Sequence, residues 1–150
     1  MTIKRLIEIF QTVATAHINV NTFTHGEKWE YAVDGREIYV AVHLVEPFII
    51  TQPSKEGIFQ YQFQMMVLDK SEPAESEEVE LYDKCISVSE DILEYIRENY
   101  KRELSIQPAT YTTVTEYSDN MNVGVLCDLV VSGKSTLNRC DLNDKFIIPN

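Results

Sequence analysis

The stretch GIFQYQFQMMVLD, residues 57 to 69, constrains this chain more than any other. Phe59, Tyr61, Phe63, Met65 and Val67 alternate with Gln60, Gln62 and Gln64 through its first half. Successive side chains of an extended strand point to opposite faces, so the spacing predicts a strand with one apolar and one amide-bearing face. The amides are either solvated or bonded to a neighbouring subunit.

Two other stretches carry the period of a helix. Ile3, Leu6, Ile7, Phe10, Val13, Ala14 and His17 form one stripe, with Thr2 placed to cap it, which predicts a helix over 2–17. Leu81, Cys85, Val88, Ile92, Ile96 and Tyr100 form another, predicting a helix over 76–101. Glu77, Glu78 and Glu80 at its start and Arg97, Lys101 and Arg102 at its end suit the helix dipole.

Between the first helix and the alternating strand, Asp34-Gly35 sits amid two strand-like runs, the signature of a tight hairpin, which Pro47 would end. Two further strands are expected at about 109–118 and 122–132, flanking the turn-forming SDNMN. The predicted order is αβββαββ. That order implies one α+β domain over 1–150, with a single antiparallel-rich sheet and two helices on one face. At 150 residues and 44% hydrophobic content the chain can form one sizeable core.

A net charge of −11 argues against a sequence-independent grip on DNA or RNA, which needs clustered cations. No apolar run is long enough to span a membrane, and Glu8 interrupts the N-terminal apolar pattern, so the chain reads as soluble and unexported. Cys85, Cys127 and Cys140 are odd in number and widely spaced, as are His17, His25 and His43. Reduced, packed thiols and no metal site are expected. Trp29 near Gly26 is read as a packing anchor.

Gly133-Lys134-Ser135-Thr136 has the end of a phosphate-binding loop but not its beginning. The loop needs a glycine five residues before Gly133, where Asp128 stands, and a helix after it, where TLNRCDLNDKFIIPN shows no stripe. Gly133 is expected to end a strand instead. No nucleophile signature appears, and acidic pairs such as Glu90 and Asp91 fall on a helix surface. The expectation is a non-enzyme with no cofactor.

Four stretches, taken in order, carry a resemblance. They are INVNTFTHGEKWE (18–30), EIYVAVHLVEP (37–47), YQFQMMVLDK (61–70) leading into YDKCISVSEDILEYI (82–96), and DNMNVGVLCDLVV (119–131) followed by NRCDLN (138–143). Together the chain resembles the small tail terminator or tail-completion proteins of tailed bacteriophages, including the neck-ring proteins of crAss-like phages. Val40 and Asn143 stand where such proteins often carry proline.

The resemblance implies a structural virion protein of the neck or tail, assembled in the host cytoplasm. It would form a homo-oligomeric ring at the head–tail junction, touching portal, connector or head-completion and tail proteins, around a channel for DNA. It brings no catalytic residues. Candidate interfaces are the Gln60, Gln62 and Gln64 row and the C-terminal Phe146, Ile147 and Ile148, apolar residues in a segment too short for its own core. Residues 69–103 hold 12 acids and 5 bases, a net of −7. Glu72, Glu75, Glu77, Glu78 and Glu80 are therefore either ordinary capping and surface acids or part of an interface or channel wall. The rival expectation is a small acidic cytoplasmic adaptor that mimics nucleic acid and inhibits a host protein.

Overall fold

The computed structural model describes residues 1–27, 39–52, 56–70, 78–116, 122–134, 145 and 147. The alternating stretch is the strand β3 (Ile58–Lys70), and it lies at the centre of a sheet. Its neighbours are β2 (Ala41–Thr51) and β6 (Asn122–Lys134), both antiparallel to it. β1 (Thr22–Gly26) forms one edge, parallel to β2, and β4 (Leu104–Ile106) and β5 (Thr110–Glu116) line the far side of β6 in succession. Among the described residues the fold is thus α+β, with two helices and a six-stranded mixed sheet.

The order among the described residues is αβββαβββ, so three expectations need correction. The first described strand is Thr22–Gly26, a run that carries no alternation, and its parallel pairing makes an otherwise antiparallel sheet mixed; the strand-like run before Asp34-Gly35 lies outside the described residues. The proposed hairpin turn at Asp34-Gly35, together with Trp29, lies outside the described residues. β2 does not stop at Pro47: the register shifts between Val45 and Ile49, and pairing with β3 resumes at Ile49. A proline lacks the donor for a regular ladder but fits in such a bulge. The edge along β6 is likewise two strands rather than one, interrupted at 107–109, where Pro108 stands.

Both helices cover one sheet face. α1 (Ile3–Ala16) starts where the Thr2 side chain accepts from Arg5 N–H at 3.1 Å, and it buries Leu6, Ile9, Phe10, Val13 and Ala14. α2 (Glu78–Asn99) buries Cys85, Val88, Ser89, Ile92, Leu93 and Ile96. The Ser89 hydroxyl is satisfied by donating to Cys85 O at 2.8 Å. Leu81 and Tyr100, expected in the stripe, are half-buried at its ends.

The helices meet Val42, Leu44, Tyr61, Phe63, Met65, Val67, Val125, Cys127, Leu129 and Val131 in one apolar cluster. Phe63 sits in its middle, edge-on to Phe10 at 5.5 Å between ring centroids and tilted against Phe48 at 5.1 Å. Arg5 clasps Glu103 through two hydrogen bonds of 3.0 and 2.9 Å, tying α1 to the turn after α2. That contact holds the Glu103 carboxyl below its ordinary range and raises Arg5.

Candidate interface on the open sheet face

The face away from the helices is divided. Ala41, Val45, Met66 and Leu68 are buried at one end, with Tyr39 and Leu126 packed against them. His43 belongs to this end and is 1% exposed. Its Nε2–H donates to Gly26 O at 3.2 Å, and its Nδ1 accepts from the Thr24 hydroxyl at 2.6 Å. Both partners lie on β1, so His43 binds the edge strand to β2. No local pattern points to this residue, because its partners come from a strand recognisable only once paired.

The glutamine row occupies the other end. Gln62 is exposed, and Gln60 and Gln64 are half-buried. Gln64 donates to Asp128 Oδ1 at 2.8 Å from the facing position of β6. Asp128, the residue that breaks the phosphate-loop pattern, is therefore exposed on the sheet and already bonded to an amide. Gln62 lies between Ile49 on β2, which is 56% exposed, and Val130 on β6. A depression of about 490 Å³ lies over these residues, lined also by Glu46 and Pro47 at the bulge and by Pro108 and Thr110 beyond β6. Amides beside exposed isoleucine, in a shallow concavity, form a surface that can bury apolar area while keeping its polar groups paired.

Of the remaining candidates, the described ones do not line this depression. Glu78 is half-buried and Glu80 exposed on the first turn of α2, while Glu72, Glu75 and Glu77 lie outside the described residues. Ile147 is fully exposed; Phe146 and Ile148 lie outside the described residues. Gly133, expected to end a strand, is the last residue but one of β6. A Cβ there would come within 2.7 Å of Met1 Cβ, so the glycine makes room for the Met1 side chain.

Reactive groups are sparse. Cys85 and Cys127 are buried in the core, and burial above all pushes both thiols up to about 12. Cys140 lies outside the described residues. Among the described residues no three His, Cys, Asp or Glu side chains are grouped to hold a metal ion. No helix among them is long and apolar enough to cross a membrane. No family model and no curated protein matches the chain.

Proposed function

We propose that this chain is a non-enzymatic assembly protein that closes into a homo-oligomeric ring at the head–tail junction of a tailed bacteriophage, joining connector to tail around the DNA channel. The observation that carries the reading is the open end of the sheet, where Gln62 and Ile49 stand exposed in a shallow depression. A sheet face with an exposed amide at Gln62 and an uncovered isoleucine beside it suits repeated contact between subunits or with a neighbouring virion protein. The fully exposed Ile147 near the C-terminus supplies a second apolar contact. The resemblance to tail terminator and neck-ring proteins adds the place in the particle. The exposed acids of α2, among them Glu80, Asp83 and Glu98, suit a wall that DNA passes without adhering.

Electron microscopy of the purified chain, alone and mixed with a phage connector protein, tests the reading. Closed rings are expected, and Gln62→Lys with Ile49→Lys, both at exposed positions, should abolish them while leaving the circular dichroism spectrum unchanged. A chain that stays monomeric or dimeric in both preparations, and that displaces DNA from a host protein, would establish the acidic-adaptor reading in its place.

A further inference from the structure

The strand β5 forms an open edge of the sheet. It pairs with β6 on one side, and among the described residues no strand pairs with its other side. Its sequence, TYTTVTE, is rich in threonine, tyrosine and valine, which favour extended structure. It carries none of the lysine or proline residues that commonly blunt an edge. A row of backbone N–H and C=O groups therefore faces outward over 110–116.

α2 runs alongside this edge in the opposite direction. At one end the Tyr82 and Thr115 hydroxyls are 2.5 Å apart. At the other, Arg97 Nη2 donates to Gln107 O at 3.3 Å and Nε donates to Ile106 O at 3.5 Å. Beside the Arg97 clasp lies a groove of about 610 Å³, with Glu90, Glu94 and Arg97 on its helix wall and, on its strand wall, Pro108 and Ala109 of the link into β5 and Tyr111 of β5 itself. Burial, with the charges of Cys127 and Glu90 added to it, pushes the Tyr111 hydroxyl up to about 12, so Glu90 is felt at the strand wall.

The acids of the wall are unequally engaged. Asp91 pairs with His17 at 2.9 Å and Glu94 with Arg97 at 3.3 Å, whereas Glu90 makes no ion pair among the described residues. We propose that this groove takes an extended, lysine- or arginine-rich segment of a protein partner, which adds to the sheet as a strand beside β5 while its cations meet Glu90 and Glu94. Strand addition supplies affinity through main-chain hydrogen bonds, and the acidic wall selects the charge of the segment. A second copy of the chain does not fit this edge, because two edges joined to each other would bring acidic helix walls together on chains of net charge −11. Neither the edge nor its wall depends on the chain's forming rings.

The probe is a fluorescein-labelled octapeptide of alternating lysine and valine with blocked ends, compared with its glutamate–valine counterpart. The lysine peptide should raise fluorescence anisotropy, and Glu90→Gln with Glu94→Gln should weaken its binding about fivefold or more. Amide hydrogen exchange in the wild-type chain should slow on peptide addition within 110–116. Equal binding of the two peptides, equal binding by the double variant, or slowing confined to other strands would overturn the proposal. So would full protection of 110–116 before any peptide is added.

Discussion

Gly124 on β6 and Val67 on β3 approach so closely that a Cβ built on the glycine would lie 1.9 Å from the Val67 carbonyl oxygen. Leu68, the register partner of Gly124, would crowd the same methyl through its Cα and Cδ2, each at 2.9 Å. Two of the three contacts are with backbone, which cannot turn aside as a long side chain can. Gly124→Ala should therefore force the two central strands apart and destabilise the fold by at least about 1 to 3 kcal/mol in a denaturant titration. A loss below about 0.5 kcal/mol would mean that the strands are not this close.

Phe63 tests the core from the other face of the same strand. It is 4% exposed and in contact with Phe10 of α1 and Phe48 of β2. Phe63→Ala removes the ring on which these elements meet and should cost about 3 to 5 kcal/mol. A cost under about 1 kcal/mol would place the residue at the surface and overturn the strand's orientation.

The buried thiols predict both reactivity and a pH dependence. In a Cys140→Ser chain, a thiol reagent at pH 8 should label Cys85 and Cys127 only as fast as the protein unfolds, with both reacting at once in denaturant. Their folded values of about 12 stand above the ordinary thiol value of 9.0, so the unfolded chain releases these protons first as pH rises. The two groups thus leave stability intact below about pH 9 and reduce it progressively between about 9 and 12. A shallower decline across that window in Cys85→Ala with Cys127→Ala than in the parent is the expected contrast, the raised Tyr111 hydroxyl accounting for part of what remains. Equal declines would remove the thiols as its cause.

Lys134 ends β6 as an exposed residue, and Gly133 before it accommodates Met1. Lys134→Ala should leave stability within about 0.5 kcal/mol of the parent, as for most surface changes. Isothermal titration with ATP should give no heat of binding in either chain. Millimolar or tighter binding that disappears in the variant would restore the nucleotide reading.

Weak or absent DNA binding is expected from charge. With 12 acids against 5 bases between residues 69 and 103, the helix and its approach cannot neutralise a row of phosphates. An electrophoretic mobility assay at physiological salt should show no shift of a non-specific duplex. Submicromolar, salt-dependent binding would contradict both the ring and the adaptor readings.

What the sequence determined by itself was local and periodic. The alternation through Phe59, Tyr61 and Phe63 dictated β3 and its faces, because a strand's side chains alternate whatever its neighbours are. The stripes on α1 and α2 dictated which helix faces turn inward, with Thr2 marking the first helix's start. The glutamine row was legible for the same reason.

Tertiary structure decided what depends on partners far along the chain. Thr22–Gly26 is a strand because Ala41–Val45 offers it a parallel edge, and the buried His43 then holds it there. Pro47 lies within a strand because a bulge removes the need for its missing donor. Val45, Met66 and Leu68 are covered on the very face that exposes Gln62. The groove beside β5 arises only when α2 is laid along an edge that β6 creates. Pairing and packing of this kind are set by hydrogen bonds and contacts between residues distant in sequence, and no local period records them.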